Sequence, residues 1–135
     1  MAGVPVTIDL YRNGEHELKG IEGISFSREG RSYLKYERED EEDIVKSLLT
    51  IAHDEITIKQ SGGVDADMHF RPGRTADLIY TTKYGRMFFV IETRSISSEI
   101  SPKLVRVKLD YRILTEDGEE VGSNEVRIEA RPVNG

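Results

Sequence analysis

The sequence predicts an all-β protein, a single antiparallel up-and-down meander of about 8–10 strands closing into a barrel. Three observations carry this. Apolar residues recur at every second position, as in half-buried strands. Turn sequences recur about every ten residues. Hairpin registers built on those turns set apolar residues opposite apolar residues, which share a face of the sheet.

Val4, Val6, Ile8 and Leu10 alternate with Pro5, Thr7 and Asp9, and Asn13-Gly14 then reverses the chain. Gly20 and Gly23 interrupt the next strand, where a bulge or sharp bend is expected. Ile24 and Phe26 are expected inward, opposite Tyr36 and Leu34, across a loop Glu29-Gly30-Arg31. Residues 37–43 are almost wholly charged, which predicts a solvated loop opening into a short helical turn before Ile44. A two-residue turn at His53-Asp54 places Ile51 opposite Ile56 and Leu49 opposite Ile58. Three-residue loops at Ser61-Gly62-Gly63 and around Pro72-Gly73 pair Ile58 with Ala66, Ile56 with Met68, Met68 with Leu78 and Phe70 with Ala76. Tyr84-Gly85 as a turn sets Tyr80 against Phe89 and Leu78 against Ile91. Residues 95–103, polar and containing Pro102, read as an irregular link. Asp117-Gly118, a favoured type I′ pair, sets Leu109 against Val126, Val107 against Ile128 and Val105 against Ala130. A sheet this wide has edges to protect, and closure removes them. A two-sheet sandwich is the second architecture the pattern allows.

The 135 residues suit one domain, 1–135, large enough for a core without a staple. A formal charge of −6 opposes binding to nucleic acid, and no basic stripe with interleaved aromatics offsets it. The absence of cysteine excludes disulfides, thiolate metal sites and a thiol nucleophile. No apolar run approaches the roughly 20 residues of a membrane helix, and the first ten residues lack the apolar stretch of a signal peptide. The expectation is a cytoplasmic protein with no membrane partner.

From Gln60 onward the residues resemble a known family. Ser61-Gly62-Gly63, Met68-His69-Phe70, Gly73-Arg74-Thr75 and Tyr80-Thr81-Thr82-Lys83-Tyr84-Gly85 look like the central motif of the YwiB-like family, small bacterial proteins of unknown function. Thr93, Leu109-Asp110-Tyr111 and Gly122-Ser123-Asn124 fit the same pattern, and Gln60 departs from it where the family carries a basic residue. The resemblance implies a calycin-like (lipocalin-type) barrel. It supplies no catalytic residues.

Candidate chemistry is sparse. His16, His53 and His69 lie in turns or on an outward face, with no serine and carboxylate placed to make a triad. Asp65, Asp67 and His69 share one side of a strand with Asp77 nearby, and the face they occupy is an ordinary solvated one, so no metal site is assigned. No phosphate-binding glycine loop precedes a helix, and no cofactor is implied. The inner face carries more. Gln60, Tyr80, Thr93, Tyr111 and Asn124 are expected inward, either bonded to one another or to an ordered water near the barrel mouth, or orienting a guest as a few polar groups in an apolar pocket. On the outer face Ile79 is expected opposite Val90 with Phe88 beside them, an apolar patch to be covered by a partner such as a second copy of the chain or by the chain's own terminal strand or loop. The expected function is a non-catalytic binding module for a small, partly apolar ligand. The alternative is an interaction or scaffold barrel with a filled interior, acting through the outer patch.

Overall fold

Alternating side chains and turn residues lay the chain out as ten antiparallel strands in the computed structural model, which describes residues 3–133. They are β1 (Val4–Arg12), β2 (Glu15–Arg28), β3 (Arg31–Asp40), β4 (Asp43–Ile51), β5 (Ile56–Gly62), β6 (Ala66–Phe70), β7 (Thr75–Thr82), β8 (Gly85–Ser101), β9 (Leu104–Leu114) and β10 (Glu120–Pro132). They form one sheet in the order β6-β5-β4-β3-β2-β1-β10-β9-β8-β7. The first and last strands therefore lie side by side, with Ile8 opposite Ala130 and Leu10 opposite Ile128. The edges are β6 and β7, neighbours in the chain. They return to one another at a single bridge, where Asp65 and Thr81 exchange two backbone hydrogen bonds of 2.9 Å. The result is a nearly closed barrel, not a sandwich.

The expected Met68–Leu78 and Phe70–Ala76 pairs are not part of a ladder, and the reason lies in the turn between them. Gly73 N–H donates to Thr93 O at 3.0 Å, and Thr93 N–H to Arg74 O at 3.1 Å. The turn thus docks on β8 and draws β7 away from β6, leaving a seam.

Elsewhere, register shows what a hairpin can change without consequence. The β4–β5 turn keeps the expected pairs Ile51–Ile56 and Leu49–Ile58. The β9–β10 pairs also stand as expected, Leu109–Val126, Val107–Ile128 and Val105–Ala130. They arise by another route. Thr115 N–H donates to Glu119 O at 2.8 Å around Glu116-Asp117-Gly118, and a register shift between Glu120 and Gly122 restores the phase. At β7–β8 the reversal is Lys83-Tyr84, so Tyr80 faces Met87 and Leu78 faces Phe89. At β5–β6, Ile58 faces Met68 and Ile56 faces Phe70. Each is a slide of two residues, which leaves every side chain on its face.

One register does invert a face. Glu29-Gly30 alone makes the β2–β3 turn, both with positive φ (53° and 78°), the type I′ geometry that suits strand twist. Ser25 then faces Leu34 and Phe26 faces Tyr33. Ile24 and Phe26 consequently point outward, against expectation, and Phe26 stacks on Tyr33 with ring centroids 4.8 Å apart. The inner position passes to Gly23, opposite the buried Tyr36. Only glycine fits there: a Cβ would lie 2.6 Å from both Ile8 Cδ1 and Lys35 O.

Gly20, with φ 59°, lies where the β1–β2 register shifts, so the interruption expected there is a bulge, whereas Gly23 marks a close approach. Two polar segments expected to be irregular are strand. β3 and β4 pair as far as Asp40–Asp43 around Glu41-Glu42, with no helical turn. β8 and β9 pair as far as Ser101–Leu104 around Pro102-Lys103, with Ile96 opposite Leu109 and Ile100 opposite Val105. Backbone ladders need no apolar side chains, so a charged hairpin can project into water. No helix of the described residues is long and apolar enough to cross a membrane.

Among the described residues, one buried charge lies on the outer wall. Glu129 on β10 is 6% exposed and is held by Arg106 Nε at 2.9 Å, Arg131 Nη1 at 3.2 Å and Arg127 Nε at 3.3 Å. Burial pushes its carboxyl up, but hydrogen bonds from Arg106 and Arg131 outweigh that and hold it below the usual range. Such a group stabilises the fold above its unfolded pKa and loses that contribution as pH falls through the folded value. Glu129→Gln is expected to cost about 1–2 kcal/mol at pH 7, the exposed arginines being partly screened. In denaturant titrations the gap from the native protein should close as pH falls below the ordinary glutamate range, and a gap constant with pH would contradict this.

Candidate functional site

The barrel interior is filled at one end and open at the other. The start of β1, the end of β10 and the turns after β2, β4, β6 and β8 share the first end. There Leu34, Ile51, Ile56, Phe70 and Ile91 are almost wholly buried. Phe70 packs edge-on against Tyr111, ring centroids 4.8 Å apart; Tyr111 lines the cavity next to this end and Phe70 does not.

Beyond that end, towards the turns after β1, β3, β5, β7 and β9, lies this cavity of about 320 Å³. That is near the lower end of the ~300–1,000 Å³ usual for small-molecule sites. Its apolar wall includes Leu10, Ile58, Met68, Leu78, Phe89, Leu109, Val126 and Ile128, and its polar groups are Arg12, Tyr36, Arg38, Gln60, Tyr80 and Tyr111. Each points inward because it continues the phase of its strand. Val6, Ile8, Leu10 and Arg12 are one alternating series, and Leu34, Tyr36 and Arg38 are another.

The polar groups cluster near the mouth. Arg12 donates through Nε to Glu17 at 2.9 Å, outside the cavity, and through Nη1 to Tyr111 OH at 3.4 Å, inside it. Burial works against the Arg12 charge, but the bond to Glu17 and the contact with Tyr111 more than offset it and raise the guanidinium pKa. Arg38 approaches Asp40 at 3.6 Å, beyond hydrogen-bond length. Burial pushes the Tyr36 phenol up, while the nearby Arg38 and Arg12 charges partly oppose that rise. The described lining holds two arginines and no carboxylate. The arrangement can hold and orient a guest. It offers no nucleophile with a base beside it.

Of the five inner polar residues expected, Gln60, Tyr80 and Tyr111 line this cavity together. Thr93 is buried opposite Tyr111, away from the lining, and its Oγ1 has no hydrogen-bond partner. Asn124 also lies opposite Tyr111, but its Oδ1 accepts from Asn13 Nδ2 at 3.2 Å near the rim. Phe89 and Met68 line the cavity rather than fill it. Sequence reasoning placed Tyr36 inward but missed Arg12 and Arg38. The signal was available in the two alternating series, and for Arg38 it was hidden because residues 37–43 read as a loop.

On the outer face Ile79 lies opposite Phe88, 42% and 48% exposed, while Val90 lies opposite Asp77 and not Ile79 as expected. The Arg86 guanidinium sits 5.8 Å from the Phe88 ring centre. The same three apolar residues therefore share the outer face, with Phe88 and Val90 exchanged in their places relative to Ile79. Asp65, Asp67, His69 and Asp77 flank a groove outside the seam, interspersed with Lys59 and Arg86.

A buried hydroxyl without a partner costs stability. Thr93→Val is thus expected to leave the unfolding free energy unchanged or raise it by up to about 1 kcal/mol. A loss larger than that in chemical denaturation would show that Oγ1 is bonded in solution.

The comparisons with known proteins agree with this architecture. The chain is 24% identical over 98 residues to the uncharacterized beta-barrel protein YwiB of Bacillus subtilis (strain 168), covering 73% of this chain and 69% of that one. The crystal structure of ywiB protein from Bacillus subtilis superposes with a TM-score of 0.81 at 19% identity, over 96% of this chain and 92% of the other. That likeness shows a shared fold. The family model for the domain of unknown function DUF1934 matches residues 7–128. With a β-barrel relative in sequence, the same barrel in structure and a family match over most of its length, the chain belongs to the DUF1934 family.

Proposed function

We propose that this protein is a calycin-like binding barrel that holds one small, partly apolar molecule inside its open end, without chemical conversion. The single observation that carries this is the half-filled interior. Phe70 is buried at the packed end against Tyr111, and the cavity that Tyr111 lines is walled by Leu78, Leu109 and Ile128 and includes polar groups. An apolar cavity with a few convergent polar groups near its mouth is how ligand sites combine affinity with orientation. A scaffold needing only stability would gain from filling that space, since unfilled volume forfeits packing. The described cavity lining carries no carboxylate or histidine to act as a base, which favours binding over catalysis.

A neutral apolar probe tests the reading. N-phenyl-1-naphthylamine added to the protein should brighten with a saturable one-to-one isotherm. Val126→Trp, which places a large side chain in the cavity wall, should abolish the signal while the far-ultraviolet circular dichroism spectrum stays that of a β-protein. An isotherm unchanged in the variant would place the probe elsewhere and contradict the proposal.

A further inference from the structure

The charge inside the cavity is opposite to that of the protein around it. The chain carries 25 acidic and 19 basic residues, net −6, yet the described cavity lining contains Arg12 and Arg38 and no Asp or Glu. Both arginines also have outward ion pairs, Arg12 with Glu17 at 2.9 Å and Arg38 with Asp40 at 3.6 Å. Those acids are substantially exposed, at 43% and 49%, so water screens them on the outer side. The inner side is different. Arg12 commits Nε to Glu17 and turns Nη1 towards the Tyr111 hydroxyl, which can donate a hydrogen bond of its own. Arg38 approaches Asp40 too distantly for a hydrogen bond, so its donors are not consumed by that pair. Below this ring the wall is hydrocarbon: Leu78, Leu109 and Ile128.

From this arrangement we infer that the guest is a small amphipathic carboxylate, its head held by Arg12, Arg38 and Tyr111 at the cavity mouth and its short apolar tail directed towards Leu78 and Ile128. The inference rests on the binding function proposed above and names the class of ligand. Charge-assisted hydrogen bonds from guanidinium to carboxylate are stronger than neutral ones, and Arg12 and Arg38, at 38% and 28% exposed, are each less open to water than their outer partners. A monoanion fits better than a phosphate dianion because Glu17 and Asp40 already offset part of the arginine charge. The tail must be short, since the cavity measures about 320 Å³.

Calorimetric titration with four eight-carbon probes tests this: octanoate, octanol, octylamine and octyl phosphate. Octanoate should bind about tenfold or more tightly than octanol, a difference near 1.4 kcal/mol. Octylamine should not bind measurably, and octyl phosphate should bind no more tightly than octanoate. Arg38→Gln should cut the octanoate-to-octanol affinity ratio by about tenfold, with a thermal melt verifying that the variant is folded. A second variant works in the opposite direction without touching the cavity. Glu17→Gln removes the outer competitor for Arg12 and should tighten octanoate relative to octanol. Equal affinity for octanoate and octanol, an unchanged ratio in both variants, or tighter binding of octyl phosphate would overturn the carboxylate inference while leaving the binding barrel standing. If neither octanoate nor octanol binds, and N-phenyl-1-naphthylamine also fails, the binding function itself falls.

Discussion

A closed sheet has one inside, and its side chains reach that inside only at alternate positions. This constraint decides what the cavity contains. The phase that buries Ile8 and Leu10 on β1 must bring Arg12 inward as well, and the phase that buries Leu34 and Tyr36 on β3 brings Arg38. The strands continue past the packed core, so the inner series changes from hydrocarbon to guanidinium along one direction. Polarity at the mouth and hydrocarbon beneath it are thus two parts of a single alternation.

Closure follows a less obvious course. The strands farthest apart in sequence, β1 and β10, form a complete ladder from Val6–Pro132 to Arg12–Val126. The strands nearest in sequence at the opposite side, β6 and β7, share one bridge. The turn joining them spends its hydrogen bonds on Thr93 of β8. Met68 on β6 and Leu78 on β7 stand on either side of the seam, and both line the cavity. A wall with few cross-strand hydrogen bonds opens at lower free energy than a full ladder.

Most of the fold was legible because burial of one face fixes strand phase far more strongly than turn chemistry fixes loop length. The β5–β6 and β7–β8 registers each differed from expectation by two residues, yet Ile58, Met68, Leu78 and Tyr80 kept the face assigned to them. At β2–β3 a difference of one residue sent Ile24 and Phe26 outside. There, hydrophobicity misled: the inner position belongs to Gly23 because Ile8 and Lys35 leave no room for more. The site was legible in part. Gln60, Tyr80 and Tyr111 were found by phase, whereas Arg12 and Arg38 went unnoticed because an arginine in a polar stretch looks solvated unless its strand is known to continue. The register expected for β9 and β10 already set Arg106 opposite Glu129 on the outer wall, whereas nothing in the sequence signalled that Glu129 would be buried there.

The central claim is that one inward phase creates a ligand space at a single end of the barrel. Methyl-resolved NMR with labelled methionine and isoleucine, titrated with octanoate, tests it most directly. The account predicts that the methyl signals of Met68 and Met87 shift and show contacts with the octanoate chain, both residues lining the cavity. Shifts confined to Ile79 and Ile24, whose side chains lie on the outer wall, would contradict it.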